Sequence, residues 1–146
     1  MKRFQFSLEK MLDYKNQVLR DEKNKLAELR QKLDRLVETL NVLREEYARC
    51  NRELNEKVQE GITPQDALLR KNYLNTLNDR IKMQMQQVKL AEIRVNDQVA
   101  VVVKVSQDIS TLEKLKERQY EEYLLEESKE VQLLIEEFVA NASLSN

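Results

Sequence analysis

Three pairs of neighbouring glutamates, Glu121–Glu122, Glu126–Glu127 and Glu136–Glu137, and one thiol, Cys50, are the side chains in this sequence with a claim to chemistry. Paired carboxylates can share a proton for acid–base work or hold a hard cation through their oxygens. A thiolate can act as a nucleophile. The surroundings favour blander roles. The segment 120–137 holds seven acids and one lysine, which reads as a solvated acidic face that sets the electrostatics of docking. Cys50 falls in an apolar series and reads as a small core filler. The chain has no histidine, so a Ser-His-Asp or Cys-His site is impossible and the commonest metal ligand is missing. One cysteine excludes an intrachain disulfide and a thiolate cluster. No glycine-rich loop exists to cradle a phosphate. No catalytic, cofactor-binding or metal-binding residue is therefore assigned, no cofactor is expected, and the chain does not read as an enzyme.

The elements that carry these residues follow from composition. Charged residues make up 35% of the chain, yet the net charge is −1, so both signs are interspersed along a solvated surface. Such a surface offers nucleic acid no strong field. Aromatic content is 5%, and there is one glycine and one proline, which suits long helices better than a globular core. No apolar run approaches the roughly 18 residues of a membrane span. The start, MKRFQFSLEKMLDYK, is basic but has no apolar h-region, so a signal peptide is not expected. The expectation is a soluble intracellular protein.

Counting in sevens from Leu12 gives Leu19, Leu26, Leu33, Leu40, Tyr47 and Leu54, all apolar. The companion series is Leu8, Lys15, Glu22, Leu29, Leu36, Leu43 and Cys50. Alternating steps of three and four are the a/d signature of a left-handed coiled coil. A second run has Leu74, Ile81, Val88, Val95, Val102 and Ile109 at a, and Leu77, Gln84, Ala91, Gln98, Val105 and Leu112 at d. It weakens at Lys116 and Gln119.

The only glycine and the only proline lie between the runs, in VQEGITPQDALLR. Gly61 suits a helix C-terminus, Thr63 an N-cap and Pro64 the first helical position, with Asp66 three residues after Thr63 in capping-box fashion. A link this short favours antiparallel neighbours. The expected fold is all-α: two long helices in one antiparallel coiled-coil hairpin over 1–146. Helix one is expected over about 7–60, the turn over 61–63, helix two over about 64–140 and a frayed tail over 141–146. At 1.5 Å per residue the arms would run roughly 80 and 115 Å. Folding the chain about Ile62 places Cys50 opposite Leu74, Tyr47 opposite Leu77, Leu19 opposite Val105 and Leu12 opposite Leu112, so each a position faces a d position. Ser7 is expected to cap helix one, with Phe6 and Met11 as a hydrophobic staple.

Three places depart from a plain seam. The later arm overhangs from about Arg118 to Ala140, with Tyr120, Leu124, Val131, Ile135 and Phe138 at helical spacing and Leu134 widening the stripe. This stripe either docks on another protein, or packs on Phe4 and Phe6, folds back or frays. In QVAVVVKV, Val99, Val101 and Val103 do not all fit the seam, and opposite them stand the polar seam residues Lys15 and Glu22. The readings are a wide seam with snorkelling stems or a lateral contact patch. Near the turn, Leu68, Leu69 and Tyr73 lie off the stripe, either as a contact point or as scattered surface hydrophobes.

The stretches FQFSLEKMLDYK and TLEKLKERQYEEYLLEESKE, with the central turn and the length, resemble the FliJ family of flagellar export proteins, and less closely its type III secretion stalk relatives. Where the family carries a Gln-Lys and an Asp-Glu pair near its end, this chain has Ser128-Lys129-Glu130 and Glu136-Glu137. The resemblance implies a non-enzymatic antiparallel coiled coil, similar to a rotary-ATPase stalk, that binds the hexameric export ATPase and promotes its activity. It also implies contacts with the membrane-embedded export gate and with export chaperones. The location implied is cytoplasmic, at the periphery of the membrane export apparatus, as an elongated monomer. Carried onto this chain, Phe4, Phe6, Leu8, Tyr120, Leu124, Val131, Ile135 and Phe138 are candidates for the ATPase end. Tyr47, Leu69, Tyr73 and Leu77 are candidates for the gate end, although Tyr47 and Leu77 pair in the proposed seam. The rival reading is a prefoldin-like or tethering scaffold with no ATPase partner, marked by oligomers formed through Val99–Val103.

Overall fold

The computed structural model describes residues 2–145. Two helices account for nearly all of it: α1 spans Glu9–Glu60 and α2 spans Pro64–Ser145. Contacts divide the chain into two compact units, one of residues 22–101 and one that combines 2–21 with 102–145.

In the unit 22–101 the two helices run antiparallel. Arg70 pairs with Glu53 at 3.8 Å, the Tyr73 hydroxyl donates to Glu46, the Gln84 side chain reaches Leu36, and Gln98 reaches Glu22. As α2 advances, its partners step back along α1. The buried residues here are Leu26, Leu40, Leu74, Leu77, Val88, Ala91 and Val95, all from the a and d series. Heptad spacing puts these side chains on one stripe per helix, and burying that stripe is what holds the helices together.

The other unit has the same sense of pairing. Lys15 meets Asp108 at 3.3 Å and Lys116 meets Glu9 at 2.9 Å. Phe6, Leu12, Val105 and Ile109 form its buried cluster, with Phe4, Leu8, Val18, Leu19, Leu112 and Leu115 packed around them. Leu19 and Val105, like Leu12 and Leu112, thus belong to the same cluster, as the fold-back register requires.

The turn follows its local chemistry. Gly61 sits at φ 95°, and its N–H donates to the Lys57 carbonyl at 2.9 Å to close α1. The Thr63 hydroxyl accepts the Asp66 N–H at 3.2 Å, the N-cap bond that satisfies one orphan donor of α2. A Cβ built on Gly61 would meet nothing within 4 Å, so only its backbone conformation resists a side chain. Gly61→Ala should therefore cost about 1–2 kcal/mol, the penalty of a left-handed alanine, read as a lowered denaturation midpoint with unchanged slope.

Helix ends differ from expectation in three respects. First, α1 begins at Glu9 rather than 7: the Phe6 carbonyl accepts the Glu9 N–H at 3.1 Å, and the next bond runs from the Leu12 N–H to the Leu8 carbonyl at 2.9 Å. Leu8, not Ser7, thus occupies the cap position. Second, the Phe6–Met11 staple does not form. Phe6 is buried at 7% exposure against α2, whereas Met11 is 49% exposed. The opposing helix offers the ring far more apolar surface than one methionine can. Third, α2 continues through Ser145 instead of ending near Ala140. Neither glycine nor proline follows Pro64, and Asn, Ala, Ser and Leu cost a helix only tenths of a kcal/mol each. Asn146, the last residue of the expected tail, lies outside the described residues.

Lys15, Glu22, Gln84 and Gln98, polar residues in seam slots, are matched rather than stranded. Lys15 finds Asp108, which Lys104 also approaches at 3.0 Å, and these two lysines hold the Asp108 carboxyl below its ordinary value, Lys104 first. Gln84 donates to the Leu36 main-chain carbonyl at 2.9 Å. Gln98 donates to the Glu22 carbonyl at 3.0 Å and to its carboxylate at 2.5 Å. Among the described residues no buried side-chain polar atom lacks a partner. The Gln98 bond, helped by Lys25 and opposed by burial, lowers the Glu22 pKa. A carboxylate depressed on folding stabilises the folded chain above its unfolded pKa, about 4.3 for glutamate, and that contribution disappears as pH falls through the depressed folded value. Melting temperature should fall with acidification below about pH 4.3, and Glu22→Gln should make that decline shallower. An identical decline in both proteins would remove Glu22 from the account.

Candidate docking surfaces

The unit of 2–21 and 102–145 presents the first surface. Residues 2–8 approach α2 without helical structure, anchored by the buried ring of Phe6. Beyond that anchor the Phe4 ring lies 5.1 Å from Tyr120, edge-on at 65°, and 5.5 Å from Tyr123. The two tyrosine rings are 6.2 Å apart and nearly parallel at 17°. The Tyr123 hydroxyl donates to the Lys2 carbonyl at 2.8 Å. Burial first, then the charge of Glu127, pushes the Tyr123 phenol above its ordinary value.

Past this cluster the character of α2 changes. Every residue from Leu124 to Leu144 is exposed. Leu124, Val131, Ile135 and Phe138 fall on one face at steps of three, four and seven, with Phe138 75% exposed. Leu125, Leu134 and Val139 widen it. The glutamate pairs 121–122, 126–127 and 136–137 flank the stripe, and all six residues are exposed. A shallow groove of about 240 Å³ between Tyr123, Glu127, Glu130, Val131 and Leu134 joins the acidic and apolar character. Contiguous exposed apolar surface with a polar rim marks an interaction site, since its exposure to water costs roughly 25 cal/mol per Å².

The structure sorts the residues expected at this end. Phe4 and Tyr120 are brought together. Phe6 is buried and Leu8 packs against the same cluster, so both hold the unit together and do not face outward. Tyr123 is an addition. It belongs to neither the seam nor the stripe, and its signal in the sequence is its place opposite the first residues of the chain in the fold-back register.

The unit 22–101 presents the second surface. Leu68, Leu69 and Tyr73 are exposed close to the turn. Leu77 is 1% exposed and Tyr47 half-buried, so both serve the seam. Tyr73 is held by Glu46, whose carboxylate accepts its hydroxyl at 3.3 Å and pairs with Arg49 at 2.6 Å. Arg49 also meets Glu53 at 2.8 Å. The bond from Arg49 is the main reason that the Glu46 carboxyl is lowered. The Cys50 thiol donates to the same carboxylate at 3.5 Å, and burial followed by that contact raises its pKa, which makes it a poor nucleophile. Cys50, Glu53, Leu69, Arg70 and Tyr73 line an open groove of about 250 Å³. Val99 is half-buried and Val101 exposed in this unit; Val103, in the other, is exposed.

Among the described residues no three acidic or thiol side chains converge as a metal site requires, and no helix is long and apolar enough to cross a membrane. Comparison with known proteins gives one match: the family model described as "FliJ: Flagellar FliJ protein" covers residues 4–146. Neither a curated protein nor a solved structure shows significant similarity to the chain.

Proposed function

Because this chain belongs to the FliJ family of flagellar proteins, we propose that it is a non-enzymatic stalk of the flagellar export apparatus that binds the hexameric export ATPase and raises its turnover. The observation that supports this most is the fully exposed, apolar and acidic stretch of α2 from Leu124 to Leu144. A helix face of this kind needs a groove to cover it, and a ring of subunits surrounds such a helix with grooves. Tyr120, Leu124, Val131, Ile135 and Phe138 form the ATPase end in this reading, with Phe4 lying on Tyr120 at its inner edge. Leu69 and Tyr73, with Leu68, are offered to the export gate, and export chaperones are further partners. The chain acts in the cytoplasm, attached to the membrane only through the apparatus.

Contact by one stalk with six equivalent subunits is necessarily asymmetric, so it favours some subunit conformations over others. That differential affinity is what shifts a catalytic cycle. Turnover of the purified export ATPase should rise on titration with this protein and saturate. Flat turnover at concentrations that saturate binding would overturn the stimulatory role, and no binding at all would overturn the docking.

A further inference from the structure

We propose that residues 2–8 form a strap that masks the start of the C-terminal docking face, and that the strap must lift before a partner seats along its whole length. This rests on the docking reading above and concerns how that surface is regulated.

The apolar stripe runs from Tyr120 through Leu124, Val131 and Ile135 to Phe138, and its first member, still 46% exposed, is the one on which the N-terminal segment lies. Phe4 lies on Tyr120 at 5.1 Å and on Tyr123 at 5.5 Å, while every residue from Leu124 to Leu144 is exposed. A partner groove that takes up the stripe from Phe138 backwards therefore meets Phe4 when it reaches Tyr120.

The strap is built to be removable. Its fixed end is Phe6, buried in the cluster with Leu12, Val105 and Ile109. Its outer end has neither helix nor strand: Phe4 packs at the edge of that cluster and on the two tyrosine rings, and the Lys2 carbonyl accepts the Tyr123 hydroxyl. Its composition mirrors what an external partner would bring. Phe4 supplies an aromatic ring, and Lys2 and Arg3 supply positive charge beside a helix that carries Glu121, Glu122, Glu126 and Glu127. An internal segment with the chemistry of the ligand competes with that ligand, and the apparent affinity falls by the fraction of molecules in which the segment is seated.

Hydroxyl-radical footprinting of the full chain, paired with binding to the export ATPase, tests this. In Phe4→Ala, modification of Tyr120 and Tyr123 should rise and affinity should tighten, each about two- to tenfold, the range worth one aromatic contact. Tyr123→Phe keeps the ring and loses only the bond to Lys2, so modification of Tyr120 and the affinity should both move the same way by less. It also serves if Phe4→Ala disturbs the cluster. Unchanged tyrosine reactivity in both variants would overturn the strap. Raised reactivity with weakened binding would overturn the masking, because Phe4 would then belong to the platform itself. If neither the wild type nor the variants bind the ATPase, the docking reading fails, and the footprint by itself decides whether the tyrosines are masked.

Discussion

On the proposed docking, replacing Ile135 and Phe138 together by aspartate should weaken binding to the export ATPase by roughly thirty- to several-hundredfold and leave folding unchanged. Both side chains are exposed, Phe138 the more so, and neither belongs to a buried cluster. Surface substitutions away from packed features usually change stability by less than about 0.5 kcal/mol, so melting temperature and helix content should stay at wild-type values. In the proposed complex the same positions would lie inside a groove. Truncating an apolar anchor there typically costs about 2 kcal/mol or more, and placing a carboxylate in that groove adds desolvation to the loss. The neighbouring Glu136 and Glu137 sharpen the contrast, since the variant carries four acids in a row of neighbours where the wild type has two. Titration of labelled protein with the ATPase reads the affinity, and a turnover assay at fixed concentration reads the consequence. Wild-type affinity in the double variant would remove the stripe from the docking surface, whatever the family does.

Leu77→Ala, by contrast, will destabilise the fold by about 2–5 kcal/mol, the range for emptying a leucine-sized space in a packed interior. Leu77 is the most enclosed large side chain, at 1% exposure, in a unit whose buried residues also include Leu74 and Leu40. A two-helix seam has no third layer to collapse into the gap, so the upper part of the range applies. Leu69→Ala is the control: Leu69 lies eight positions earlier on the same helix but is exposed, and its replacement should shift stability by less than about 0.5 kcal/mol. Denaturant unfolding followed by helix circular dichroism compares the two midpoints at equal slope. A Leu77→Ala midpoint indistinguishable from that of Leu69→Ala would contradict the assignment of the seam.

These two residues show what the sequence made legible. Leu77 could be placed because a strict heptad leaves few choices of buried face, and Gly61, Thr63 and Pro64 mark the reversal by backbone chemistry that acts within four residues. The polar seam residues were visible as irregularities, but their partners were not. Gln84 and Gln98 look like defects until the carbonyls of Leu36 and Glu22 are seen beneath them, and a main-chain acceptor leaves no trace in a string of side chains. The beginning of α1 departs from the local sequence signal for a related reason. Capping rules weigh only neighbours in sequence, and Phe6 chose residues about a hundred positions away over Met11. Tyr123 escapes heptad counting because it packs on a non-helical segment, and only the fold-back register, which sets it opposite the first residues of the chain, points to it. The glutamate pairs, prominent on paper, all lie exposed along one helix.

The glutamine contacts have a bearing on ancestry. A bond that ends on a peptide oxygen is indifferent to which amino acid supplies that oxygen, so Gln84 makes no demand on the type at position 36, which only the seam keeps apolar. Lineages descended from a common hairpin could thus rewrite much of their text while their arms stayed paired, and kinship among them would survive as rhythm long after it had faded as spelling.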